Sequence, residues 1–221
     1  MSYMLLIVIT MVIGFATQGF INSSYKKYST VSNQLGMTGA QVARRMLDSY
    51  GLYDVPVQRI AGTLTDHYDP RTRVVRLSEG IYDSPSISGM AVACHECGHA
   101  VQHAQGYLPM RLRSALVPVA NFGSSAWLII LFVGIMLNWL ELMYLGIIFY
   151  AFAVAFQLVT LPVEFNASHR GLNYIGDTLM VGGSAKGGAR TVLTAAALTY
   201  VAAALTSVMQ LLYFLNIVND R

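Results

Sequence analysis

Four stretches of this chain carry no Lys, Arg, Asp or Glu: Met1 to Tyr25, Ser114 to Leu140, Leu142 to Val163 and Thr191 to Asn219. Each is long enough to cross a hydrocarbon core of about 30 Å as a helix. The expected spans are about 3–21, 115–137, 142–161 and 191–215, leaving a soluble segment at about 26–113. Composition agrees: 55% of the 221 residues are hydrophobic and 11% are charged, well below the quarter or so usual in soluble domains. The expectation is a mainly α, four-helix multi-pass membrane protein in which residues 1–221 form a single membrane-integrated domain.

The first run has no basic region before it and no small-x-small cleavage site around Thr17-Gln18-Gly19, so it reads as a retained anchor, not a cleaved signal peptide. Of the 14 Lys and Arg residues, all but Arg221 follow the first span or lie between the third and fourth, and the turn from Asn138 to Glu141 has none. Basic residues near span ends stay on the cytoplasmic side. Both termini are therefore expected outside and both polar segments in the cytosol. The net charge of +3 reports this topology and contact with lipid headgroups. No basic patch interleaved with aromatics appears, which argues against nucleic acid as a partner.

The soluble segment reads as a small α+β layer facing the cytosol. Thr38 and Gln41 make a capping box, and Ala43, Met46, Leu47 and Tyr50 then recur at helical spacing until Gly51. The polar side of that helix offers Arg44 and Arg45 to headgroups or solvent. Val55 to Ala61 and Arg73 to Leu77 read as short strands around the turn-rich stretch from Thr65 to Pro70, forming a hairpin or two edge strands. A strand beside an active site can pair with an extended peptide. Ser84 before Pro85 predicts the start of a helix that runs to about Ala104 and ends at Gly106. Gly182 to Gly188 lacks the spacing of a phosphate-binding loop and reads as a flexible link.

On the helix expected from Ser84 lies His95-Glu96-Cys97-Gly98-His99, the H-E-x-x-H pattern. Its two imidazoles stand one turn apart on one face and can share an ion, while Glu96 points about 100° away and can reach a water from the side. With five His and four Glu in the chain, chance supplies the pattern about once in five hundred such sequences. Neutral nitrogen ligands with a carboxylate nearby are what zinc-assisted attack on a carbonyl needs.

A third ligand is required. His103 continues the spacing but lies about 12 Å along the axis from His95, too far to share one ion. Glu164 fits better. Spans two and three form a hairpin that returns the chain to the same membrane face, and a carboxylate ending an apolar run is costly without a cation. His169 and Asp177 could support the site from the same side, and His67 and Tyr68 could stabilise a developing oxyanion. Cys94 and Cys97 point away from the histidine face and read as packing residues.

The runs Leu64 to Pro70, Ala93 to Gln102 and Leu161 to Ser168 together resemble the bacterial YugP-type neutral zinc metallopeptidases. That family is in turn similar, at a distance, to the HtpX-type membrane peptidases. The resemblance implies a zincin-like layer of the gluzincin kind, one zinc ion, Glu164 as third ligand and a bacterial cytoplasmic membrane. The expected activity is hydrolysis of peptide bonds, and the placement of the site beside the bilayer alone points to membrane-associated proteins or peptides as substrates. One departure stands out: the HtpX-type pattern places an aspartate four residues after the ligand glutamate, where this chain has Ser168. The brace on the site then differs or comes from Asn166. Two other functions use the same ligand set: hydrolysis of a non-peptide amide or lipid-linked substrate, and a zinc scaffold without turnover.

Overall fold

The computed structural model describes residues 3–219; Arg221 lies outside them. The element order is α1 (Tyr3–Ser29), α2 (Gly39–Ser49), β1 (Val57–Ile60), β2 (His67–Asp69), β3 (Val74–Ser78), α3 (Glu79–Tyr82), α4 (Ile87–Ala104), α5 (Leu108–Met136), α6 (Leu140–Asn173) with a π-helical turn at Tyr174–Thr178, and α7 (Gly183–Asn219). Mainly α with a small α+β part is the class expected. The chain divides into two compact units. One combines the described residues through Ala16 with Leu108–Pro162 and those from Thr199 onward, and the other combines Thr17–Tyr107 with Val163–Leu198.

Among the described residues, four helices are long and apolar enough to cross a membrane: α1, α5, Leu140–Thr178 and α7. Within the first unit, Leu131, Met143, Ile147 and Val218 form a buried cluster with Trp127 and Phe214 packed against it. Small residues let its helices approach: a Cβ on Gly123 would lie 2.7 Å from the carbonyl oxygen of Phe149, and one on Gly146 2.8 Å from the nitrogen of Leu131. Outward stand Val12, Phe15, Phe122, Ile129 and Phe132, all exposed. Apolar surface of that extent has no counterpart on a water-soluble monomer and suits lipid. The turn between α5 and α6 is as tight as expected, with Asn138 in the left-handed region at φ 49°.

The second unit is built on the soluble segment. The capping box of Thr38 and Gln41 is present, and Val42, Ala43, Met46 and Leu47 are buried. Tyr50, expected to join them, is exposed, because Gly51 at φ 71° ends the helix before that face is completed. Arg44 does not reach outward. Its guanidinium donates to Asp48 and to the carbonyls of Val55 and Leu52 at 2.9, 2.6 and 2.7 Å, pinning the loop that follows α2.

The sheet order is β1-β3-β2, which overturns the expected hairpin. β1 runs parallel to β3, with Val57 opposite Val75, and β2 runs antiparallel on its other side, with Tyr68 opposite Val75. The turn-rich stretch therefore hides a third strand. Leu64 and Arg73 turn the chain on either side of it with φ of 57° and 54°. The carboxylate of Asp69 takes hydrogen bonds from Thr72, Arg71 and Arg76, which together hold its pKa well below the usual carboxylate range.

Two boundaries also move. The cap of α4 is Ser86, whose hydroxyl accepts the N–H of Gly89 at 3.0 Å. Ser84 and Pro85 instead stay extended, their carbonyls accepting Gly39 and Asn33. The glycine-rich stretch is helical from Gly183 onward. A Cβ on Gly188 would meet the ring of Tyr28 at 2.7 Å, so glycine serves close packing there, not a flexible link.

Candidate metal centre

Helix α4 is mostly apolar and nearly all of it is buried. Glycine permits its closest approach to α6, since a Cβ on Gly98 would lie 2.7 Å from the carbonyl oxygen of Ala167. That approach brings Glu164 to the histidine face. Its Oε2 lies 3.2 Å from Nε2 of His95 and 3.5 Å from Nε2 of His99. One ligand atom from each of these residues falls within 4.8 Å of the others, and Glu164 is 3% exposed.

The far nitrogens are held from behind. Nδ1 of His99 lies 2.9 Å from Oε1 of Gln102. The amide nitrogen of Gln102 donates to the carbonyl of Val163 at 2.8 Å and to Oδ1 of Asn166 at 3.0 Å, which fixes which end of the amide faces His99. Because Oε1 can only accept, Nδ1 of His99 carries a proton, and a neutral ring turns a bare lone pair toward Glu164. Asn166 is held in turn by Arg170, which also reaches Gln105. On the other histidine, Nδ1 of His95 meets Oγ of Ser168 at 3.1 Å. Ser168, the departure from the aspartate pattern, thus touches His95 directly, and Asn166 acts at one remove through Gln102.

The centre is electron-rich and largely buried. Oε2 of Glu164 is buried with no hydrogen-bond partner. Burial pushes the pKa of His99 down, but the nearby negative charge of Glu164, with help from Glu96 and Gln102, outweighs it and leaves the pKa raised. A cation, whether proton or metal, is what this arrangement calls for. Two imidazole nitrogens and one carboxylate oxygen are a donor set that suits zinc and leaves room for a fourth ligand.

Glu96 stands on the same helix but outside the cluster. Its Oε2 accepts the backbone N–H of Tyr68 at 2.9 Å. The Tyr68 phenol is directed at Nδ1 of His103, 2.8 Å away, so His103 partners Tyr68 and is not in the cluster, as the spacing argument required. His67 is exposed, its Nδ1 2.9 Å from the carbonyl oxygen of Thr65. His169 is exposed and meets Asn173, and Asp177 is exposed in the π-turn; neither is brought to the cluster. Cys94 and Cys97 are free and fully buried. Burial pushes both thiols far above their ordinary pKa, so they are packing residues, as read from the sequence. Gln102 escaped the sequence reading; its one signal was a buried-side polar residue three positions after His99.

Four helices able to cross a membrane and a His-His-Glu cluster that could hold a metal are what a membrane metallopeptidase requires, and the comparisons point to that class. Over residues 3–219 the chain matches the model of the family described as "Putative neutral zinc metallopeptidase", and it belongs to that family. It is 48% identical over 217 residues to a Bacillus subtilis (strain 168) protein named "Putative membrane protease YugP", covering 98% of this chain and 96% of that protein. No solved structure matches.

Proposed function

We propose that this chain is a gluzincin-like membrane peptidase. In this reading His95, His99 and Glu164 hold one zinc ion and Glu96 is the general base, cleaving peptide bonds in membrane-associated proteins or peptides. The observation that carries the reading is the buried, unpartnered Oε2 of Glu164 between two imidazole Nε2 atoms. A zinc ion bound there would act as a Lewis acid and lower the pKa of water toward about 7. The roles of the chain's own residues follow from their placement. Gln102 and Ser168 orient the two imidazoles. Glu96 accepts the proton of the attacking water and returns it to the leaving amine. His67 remains a candidate for the oxyanion only if a bound substrate turns its ring from the Thr65 carbonyl.

The whole chain acts as one functional domain in a bacterial cytoplasmic membrane, with the centre facing the cytosol and both termini outside, in keeping with the distribution of Lys and Arg. The primary test compares zinc content and casein hydrolysis in wild type, Glu96→Gln and Glu164→Gln. Glu96→Gln should keep stoichiometric zinc and lose cleavage, and Glu164→Gln should lose both. Zinc binding with no cleavage in any of them would leave a zinc scaffold or a hydrolase of non-peptide amides. Orientation is tested with Tyr53→Cys at an exposed position, since the native thiols are buried. A membrane-impermeant maleimide should label it only after cells are permeabilised.

A further inference from the structure

Glu96 and His103 lie two turns apart on α4, about 10 Å along its axis and almost on one line, and Tyr68 spans them. Its backbone N–H holds Oε2 of Glu96 and its phenol bonds Nδ1 of His103. β2 is an edge strand of only three residues, and so short a strand has little pairing of its own to keep its backbone in register. Tyr68 is its buried residue, at 9% exposure, and its neighbour His67 is exposed. The other oxygen of Glu96 carries no hydrogen bond among the described residues, so Tyr68 is what fixes the carboxylate.

From this geometry we propose that Tyr68 and His103 are a positioning pair for Glu96: His103 anchors the phenol, the phenol anchors β2, and the β2 backbone N–H orients one oxygen of the base and leaves the other free to take a proton. The kinetic part of this assignment rests on the peptidase reading, whereas the structural part does not. The phenol and Nδ1 of His103 stand 2.8 Å apart, a hydrogen bond that ties β2 to α4 whichever of the two donates. Both side chains line a cleft of about 280 Å³ beside Ala100, so His103 can be changed without opening the core.

The test uses the full-length, zinc-loaded protein in detergent and reads amide hydrogen exchange alongside kinetics. His103→Ala and Tyr68→Phe should speed exchange at the Tyr68 amide by about tenfold, the loss of one hydrogen bond. They should lower kcat by roughly ten- to hundredfold while leaving KM and zinc content unchanged, as expected for a misplaced base. His103→Gln offers an amide oxygen to the phenol and should restore both readouts. Unchanged exchange at Tyr68 in His103→Ala would overturn the proposal, as would loss of zinc from that variant or failure of His103→Gln to rescue. If exchange responds as stated while wild type cleaves no peptide, the pair stands and the peptidase reading falls.

Discussion

His95 and His99 stand one helical turn apart and face the same carboxylate, yet what lies behind them differs. Behind His99 runs a relay from Gln102 to Asn166 to Arg170, buried at the histidine and charged at its far end. Behind His95 there is one serine hydroxyl. Outer partners set the orientation and basicity of a metal-binding imidazole. In the proposed zinc site, a centre supported this unevenly would have one ligand fixed in advance and one that can turn, with His99 and Glu164 defining the site and His95 completing it.

The comparison has a ceiling, set by the residue both histidines share. Glu164→Gln should lower zinc affinity on the order of a thousandfold, measured by competition with a chromophoric chelator, and should do so whatever lies behind either ring. Gly98→Ala should come next. Its new Cβ would press on the Ala167 backbone, costing about 1–3 kcal/mol of stability and spreading α4 from the strand of helix that carries Glu164. Zinc content and melting temperature should fall together, and a variant that melts like wild type would show the two helices are free to separate.

The sides can then be pulled apart. Gln102→Leu removes the one hydrogen bond made to Nδ1 of His99 among the described residues, in a buried setting, and should weaken zinc binding about ten- to hundredfold. Ser168→Ala should cost less than about tenfold, because water can reach His95 in place of the hydroxyl. Equal losses would contradict the asymmetry. Ser168→Asp sharpens it from the other direction, supplying the carboxylate of the HtpX-type pattern. It should tighten zinc binding a few-fold while lowering the stability of the metal-free protein, where a further buried carboxylate beside Glu164 has no cation to face.

The most gradual effect expected is that of pH. The pKa of His99 is raised by the Glu164 carboxylate, so its protonated form persists to higher pH than in a free histidine. A metal must displace that proton. Zinc affinity should therefore decline as pH falls below the raised pKa of His99, the proton released from this residue per ion bound approaching one as the free protein becomes protonated there. Isothermal titration in buffers of different ionisation enthalpy counts that proton.

The parts of the site legible in the sequence are those fixed by a period. The four-residue step from His95 to His99 needs only a helix, and Glu164 follows from a hairpin of apolar runs that returns the chain to its starting face. What was not legible depends on where an unperiodic side chain turns. Gln102 matters because its amide is oriented by Val163 and Asn166, some sixty residues on. β2 was hidden because Asp66, Asp69 and Pro70 read as turn chemistry, and only the free edge of β3 makes a strand of His67–Asp69. Ser86 displaced Ser84 as a cap because the carbonyls of Ser84 and Pro85 already accept from Gly39 at the start of α2 and from Asn33 before it.

The unpartnered oxygen of Glu164 reaches beyond catalysis. Any ligand that binds only the folded chain stabilises it in proportion to the logarithm of its free concentration over Kd. A cavity that gathers three lone pairs gains much from being filled and tolerates emptiness poorly. Under zinc starvation the chain should therefore open more often and be cleared sooner by cellular quality control. Its abundance would then follow the metal supply without any transcriptional response.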